Sequence, residues 1–277
     1  MPRKDFFKDK VVIVTGGASG MGQAVSEKLA RYGARVCIAD VNGSQAEAAA
    51  QAMRGPYPAR ARQVDVRDAQ AVQAVVDEAV GEHGRLDYLF NNAGVGTVGF
   101  AKDMSPADWK RILDINLHGV VHGVQAAYPL MVRQGFGHIV NTASIAGLTP
   151  APLSVAYAAS KYAVVGLSIS LRAEAAPLGV KVSAVCPGFI DTPMKDNNQY
   201  LSVGKEAALH SNPFRMHPVG EAARDILRGV RRNQAYIVLT PEAKLMWLLN
   251  RVSPALYDFV GTFSARAAMR KLAGSGK

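Results

Sequence analysis

Cysteine is scarce: Cys37 and Cys186 are the only two in 277 residues. A disulfide framework or a thiolate metal centre needs more. Both lie in apolar runs, RVCIA and VSAVCPG, that read as buried strands, so two reduced core thiols are expected. No run reaches the ~20 apolar residues of a membrane-crossing helix. The opening segment MPRKDFFKDK lacks the apolar stretch of a secretory signal. The expectation is a cytoplasmic protein, in which the sequon Asn42-Gly43-Ser44 has no consequence. Acidic charge is in deficit, with 22 Asp and Glu against 32 Lys and Arg, a net charge of +10. The basic residues are scattered, apart from a local excess between Arg228 and Lys277, and no basic block with interleaved aromatics occurs. No nucleic-acid partner is therefore expected, and an anionic cofactor plus a solvated basic face accounts for the balance.

What the chain has is apolar mass: 49% of residues are hydrophobic and 19% charged, enough for a large core and incompatible with general disorder. Apolar, β-branched runs alternate with helical patterns. Strands are expected over 10–15, 34–40, 59–65, 86–91, 137–142, 181–186 and 235–239. Helices are expected over 21–32, 44–53, 68–82, 106–133, 156–176 and 221–231. Ser105-Pro106 is a strong start signal for the long central helix. Such alternation predicts parallel strands joined by helical crossovers, and continuous apolar strands predict a sheet covered on both faces. No linker or repeat divides the chain, so residues 1–277 are expected to form a single α/β domain. Segment 188–220 is rich in Pro, Asn and Ser and reads as a lid over a substrate site. Residues 241–277 read as a helical extension, with amphipathic patterns at 242–251 and 255–263. The extension fits a lid or oligomer contact. A membrane-surface contact through Met246, Trp247, Leu248 and Leu249 is the sharper alternative.

Thr15-Gly16-Gly17-Ala18-Ser19-Gly20-Met21-Gly22 follows the first strand directly and opens the first helix. Glycines at such a turn allow unusual backbone angles and let a pyrophosphate approach the helix N-terminus. Asp40 ends the second strand, about where an acid accepts hydrogen bonds from an adenosine ribose. It would repel the 2′-phosphate of NADP, and no basic residue stands beside it in sequence, so NAD is the expected cofactor. Tyr157 and Lys161 are four residues apart on a helical pattern, hence one turn apart on one face. An ammonium near a phenol favours the phenolate and brings a tyrosine toward acid/base work at neutral pH. Ser144 follows the fifth strand, at the carboxyl edge where parallel sheets bind ligands. It is not in a Gly-x-Ser-x-Gly elbow, so a hydrolase reading fails. His118 and His122 have helical spacing but no third ligand, so no metal is expected.

TGGASGMG, Asn91-Asn92-Ala93-Gly94, Asn116, Ser144, Tyr157, Lys161 and Pro187-Gly188 occur in that order. This set resembles the short-chain dehydrogenase/reductase family, over about residues 8–239. The resemblance implies a doubly wound, seven-stranded parallel Rossmann sheet and a nicotinamide cofactor. It implies a catalytic set of Asn116, Ser144, Tyr157 and Lys161. Tyr157 exchanges a proton with the substrate oxygen, Lys161 lowers the Tyr157 pKa and binds ribose, Ser144 orients that oxygen, and Asn116 holds a water that joins Lys161 to solvent. The implied cofactor set is Gly16, Ser19, Gly20, Met21, Gly22, Asp40, Asp65, Val66, Asn92, Ala93, Gly94, Pro187, Gly188, Ile190 and Thr192, with Tyr157 and Lys161 shared. Apolar residues about the site and in the lid suggest a bulky apolar secondary alcohol or ketone. The family's homo-oligomers imply a dimer or tetramer packed through the helices at 106–133 and 156–176. The alternatives are an acyl-carrier-protein 3-oxoacyl reductase, a non-catalytic NAD-binding protein and a membrane-surface protein.

Overall fold

A computed structural model describes residues 4–210, 214–255, 257–259, 261–262 and 266. The first half runs β1 (Val11–Thr15), α1 (Gly20–Arg31), β2 (Arg35–Asp40), α2 (Gly43–Ala52), β3 (Arg60–Gln63), α3 (Ala69–His83), β4 (Tyr88–Asn91), β5 (Thr97–Gly99) and α4 (Pro106–Leu113). The second half runs α5 (Gly119–Gln134), β6 (Gly137–Thr142), α6 (Val155–Ala175), β7 (Val180–Cys186), β8 (Ile190–Asp191), α7 (Met194–Asn197), β9 (Gln199–Leu201), α8 (Lys205–His210), β10 (His217–Pro218), α9 (Val219–Arg231), β11 (Tyr236–Val238) and α10 (Pro241–Val252).

Seven strands form one parallel sheet in the order β11-β7-β6-β4-β1-β2-β3, as the alternating pattern predicts. β1 and β4 are completely buried, and β7 is buried apart from Lys181. Helices α1, α2 and α9 cover one face through Val25, Leu29, Ala46, Ala223 and Leu227. Helices α3 and α5 cover the other through Val72, Val76, Ala127 and Met131. β3 departs from the expected apolar run: its sequence is RARQ, it is exposed at both ends, and it forms the sheet's edge. There Arg60 pairs with Glu82 and Arg62 with Glu78, both from α3. Such charged side chains discourage edge-to-edge pairing.

The chain leaves β1 toward β2 and β3, then returns to β4 on the other side of β1. The β1–β4 gap is therefore the switch point of the sheet, where the loops at the carboxyl ends part and open a crevice. Three further features refine the expected pattern. The long helix is not uniform: α4 passes through a π-helical turn at Asp114–His118 into α5, which carries Pro129 internally and ends at Gly135 in the left-handed region. The lid contains short elements, β8 paired with β10 and β9 paired with β5. The amphipathic helix expected at 242–251 is α10. The segment expected at 255–263 lies partly outside the described residues.

Candidate active site at the carboxyl edge of the sheet

The crevice is made by backbone-to-backbone approach. Gly16 has φ of +60°, and a Cβ there would sit 2.7 Å from Ala93 Cα. Gly20 has φ of +53°, and a Cβ there would lie 3.4 Å from Thr192 Cβ. A Cβ on Gly22 would strike Gly16 O and the Asn92 amide. Thr15 Oγ1 accepts hydrogen bonds from Asn92 N at 3.0 Å and Ala93 N at 3.1 Å, while Asn92 Nδ2 donates to Gly16 O at 3.1 Å. The glycine turn and the Asn92-Ala93-Gly94 loop are thus laced together across the switch point. A cradle with no side chains on its floor, opening on the α1 N-terminus, fits an anionic dinucleotide. Ser19 caps α1 by position, with no side-chain capping bond.

Asp40 closes one end. Its Oδ2 accepts from Ala18 N at 3.0 Å and its Oδ1 from Asn42 N at 3.1 Å, so its carboxylate is fixed beside the glycine turn. Among the described residues no ion pair engages it. Asp65 is held by Arg67, whose Nε lies 2.9 Å from Oδ2, and this guanidinium draws the carboxyl below the usual range. Val66 is buried against Gly119 of α5, and its carbonyl lies 2.8 Å from His122 Nδ1. His118 Nδ1 lies 3.1 Å from Asp114 Oδ1. Among the described residues no three metal-ligating groups converge.

At the other end stand the four residues of the implied catalytic set. α6 places Lys161 one turn beyond Tyr157, with Lys161 Nζ 5.6 Å from the Tyr157 ring centroid. Lys161 is buried and donates to Thr142 O at 2.8 Å. Burial brings its pKa down to about 8. Ser144 is buried, and its Oγ accepts from Ala146 N at 3.1 Å. Burial pushes the Tyr157 phenol up, while the nearby Ser144 hydroxyl pulls the other way. Desolvation is the leading cause for both groups, and it favours the neutral form of each. Gly94 joins the two ends, since a Cβ there would meet Asn116 Oδ1 at 3.2 Å and Lys161 Nζ at 3.5 Å.

Asn116 sits in the π-helical turn, fully buried. Its Oδ1 accepts from Val95 N at 2.9 Å, and its Nδ2 donates to Val95 O at 2.9 Å and Ser160 Oγ at 3.2 Å. The side chain is therefore committed to the loop after Gly94, so the water-holding role expected of Asn116 would fall to main-chain atoms of the turn. Sequence reasoning missed Thr15, Thr142 and Ser160. The signal that could have found the two threonines is a polar residue at the end of an apolar strand, as in VVIVT and GHIVNT; Ser160, inside α6, has no such signal.

Pro187 and Gly188 follow β7, and Pro187 O accepts from Ile145 N at 2.8 Å, which ties the Ser144 loop to them. A Cβ on Gly188 would strike Thr240 Oγ1 and lie 3.1 Å from Ala243 Cβ, so α10 starts directly against this loop. Ile190 lies in β8, and Thr192 faces Gly20. Beyond them Phe189 stacks on Phe214 at 5.3 Å. The lid charges pair with one another, Lys195 with Asp191 at 2.6 Å and Lys205 with Asp196 at 2.9 Å. Gln199 anchors the lid to α4, donating to Asp108 Oδ1 at 2.6 Å and accepting from Arg111 at 3.3 Å. Asn250 of α10 donates to Leu148 O at 2.9 Å. Met246 and Trp247, which the alternative of a membrane contact would turn outward, pack inward, with Trp247 5.3 Å from the Tyr236 ring.

A glycine cradle at the switch point and a tyrosine-lysine-serine cluster beside it define an oxidoreductase of the Rossmann type. Residues 10–200 match the short chain dehydrogenase family, and the chain belongs to it. It is 36% identical over 196 residues to levodione reductase of Leifsonia aquatica, covering 69% of this chain and 73% of that protein. Its fold is similar to that of a short chain dehydrogenase/reductase from Burkholderia phymatum in complex with NAD. The TM-score there is 0.81 at 31% identity, covering 90% of this chain and 95% of that one. It is also similar to 3-ketoacyl-(acyl-carrier-protein) reductase from Brucella melitensis complexed with NADH, with TM-score 0.74 at 28% identity, covering 84% and 96%. No described helix is long and apolar enough to cross a membrane.

Proposed function

We propose that this oxidoreductase is NAD(H)-dependent and interconverts a bulky, apolar secondary alcohol and its ketone. The observation that carries the reading is the Lys161 amine 5.6 Å from the Tyr157 ring, one turn away on α6, with Gly94 of the cradle loop directly against that amine. Bound NAD would accept or return the hydride, the chemistry that no side chain supplies. Tyr157 takes the alcohol proton in oxidation and donates it to the ketone oxygen in reduction. Ser144 holds that oxygen toward the phenol. Lys161 in its ammonium form stabilises the phenolate and hydrogen-bonds ribose, and the π-helical turn around Asn116 carries its proton toward solvent. The fixed, unpaired Asp40 carboxylate favours ribose hydroxyls over a 2′-phosphate. The NAD of the Burkholderia neighbour and the NADH of the Brucella neighbour are in keeping with that preference.

The apolar substrate rests on the buried Ala146 and Leu148, on the Phe189–Phe214 stack and on self-paired lid charges. Following NADH absorbance across a panel of alcohols and ketones tests it: apolar secondary alcohols should turn over, and sugars or sugar acids should not. A second reading, reduction of 3-oxoacyl thioesters, gains from the Brucella enzyme, a ketoacyl reductase that is itself complexed with NADH. Acetoacetyl thioesters outpacing every simple ketone would favour it.

Assembly through α5 and α6 belongs to the same proposal. Among the apolar residues of those two helices, Val120, Ala127, Val164 and Val165 are consumed by this chain's own core. Val121, Val124, Leu167 and Leu171 are half-buried and left to meet a second copy. Light scattering at micromolar concentration should give a dimer or tetramer; a monomer would remove this part.

A further inference from the structure

We infer that α10 and the basic chain around it dock this enzyme onto the surface of an anionic lipid bilayer. α10 is held by its inner side: Ala243 is buried, Trp247 packs on Tyr236, and Asn250 bonds Leu148. The outer side carries Leu245, Leu248, Leu249 and Val252, spaced i, i+3, i+4 and i+7, each between 45% and 75% exposed. Phe259 beyond the helix is 72% exposed. The helix is about 18 Å long, and a row of large apolar side chains of this extent marks a contact surface.

Charge decides the occupant. Lys244 and Arg251, spaced i and i+7, are exposed along one flank of the row, and Arg266 is exposed further on. Residues 241–277 hold six basic residues, Lys244, Arg251, Arg266, Arg270, Lys271 and Lys277, against two acidic ones, Glu242 and Asp258. Glu242 is turned inward, 3.1 Å from His217. A second copy apposing the same surface would bring these cations against each other. A bilayer of anionic lipids accepts the leucine row into its acyl boundary and pairs the cations with headgroups. α10 runs from Gly188 to Leu148, along the rim of the candidate site, so docking would set the substrate entrance at the lipid surface. Delivery of an apolar substrate from lipid rests on the function proposed above; the docking itself does not.

Cosedimentation of the full chain with phospholipid vesicles tests the inference without substrate or turnover, so its failure is separate from that of the proposed reaction. Vesicles of equal parts phosphatidylcholine and phosphatidylglycerol should retain the protein, and phosphatidylcholine alone should not. Raised salt should weaken the binding. Leu245→Ser with Leu248→Ser should lower the partition coefficient by about tenfold or more. Lys244→Glu should lower it by at least about fivefold. Both substitutions are on exposed positions, and an unchanged melting temperature checks that the fold is kept. Three results would overturn the inference: no retention on anionic vesicles, equal retention on neutral ones, or retention indifferent to the variants. A fall in solution mass of the leucine variant without lipid would also overturn it, by assigning the surface to a second copy.

Discussion

The cofactor half of the site and the substrate half are held by different forces. Around the glycine turn, Thr15, Asn92, Asn116, Ser160 and Lys161 bond backbone groups of neighbouring loops or one another, mostly out of water. Around the lid, the ties are exposed ion pairs such as Lys195–Asp191, one aromatic stack and the short ladders β8–β10 and β5–β9. Buried bonds fix geometry because an unmatched polar group there is costly; exposed pairs contribute about 1 kcal/mol or less. On the proposed function, proton and hydride positions would thus be preorganised, and the substrate wall would be free to adapt.

The largest effect should come from the preorganised half. Tyr157→Phe keeps the ring and removes the hydroxyl. Turnover should fall by at least ~10²–10⁴-fold, the usual span of acid/base contributions, with NAD binding by fluorescence titration nearly unchanged. Turnover close to that of the parent would show that Tyr157 is not the proton carrier.

Next is cofactor choice. Asp40→Ala combined with Val41→Arg removes the fixed carboxylate and offers a cation to a 2′-phosphate. A charged hydrogen bond of about 1.5–3 kcal/mol corresponds to a shift of about tenfold or more toward NADP. The ratio of kcat/KM for the two cofactors is the readout, because losing the bond to Ala18 N loosens the turn for both. A parent enzyme that already prefers NADP would reverse the reading of Asp40.

The adaptable half should give smaller, graded effects. Along a homologous series of secondary alcohols, kcat/KM should rise by up to about fourfold per buried methylene, or ~0.8 kcal/mol. Ending the chain after Leu239 removes α10 from beside Gly188 and Leu148 and should flatten the series. A series that was flat before truncation would argue against the apolar wall.

The last effect is on stability and not on turnover, and it is a linkage. The Lys161 pKa is lowered in the folded chain to about 8 from 10.5, so between those values the unfolded chain binds more protons. Stability therefore rises with pH across that window. Relative to Lys161→Met, the parent should gain stability from about pH 8 to 10.5, measured by denaturant unfolding. A difference that stays constant with pH would mean the amine is not desolvated.

The sheet was legible because its strands are apolar runs separated by helix-period segments, and because Ser105-Pro106 marks a helix start that the structure repeats. The crevice and the proximity of Tyr157 to Lys161 were legible from glycine placement and helical spacing. The edge position of β3, the short lid ladders and the inward turn of Met246 and Trp247 were not. Each depends on which neighbour a segment meets, and RARQ or QYL has no period strong enough to announce it. The raised phenol was hidden for a related reason: spacing shows that two groups are close, and burial decides which charge state survives.

The π-helical turn at Asp114–His118 is also a matter of phase. An α-helix advances each residue by about 100°, and one wider turn resets that count for everything after it. Trp109 and Ala126 would keep different faces relative to each other in an uninterrupted helix of the same length. Deleting one residue from this turn should restore a plain helix. It would swing Asn116 away from Val95 while leaving α5 close to its present face against α3 and the sheet. The chain thus carries an offset that lets one long rod serve two differently oriented surfaces, the lid anchor at Asp108 and the core at Met131.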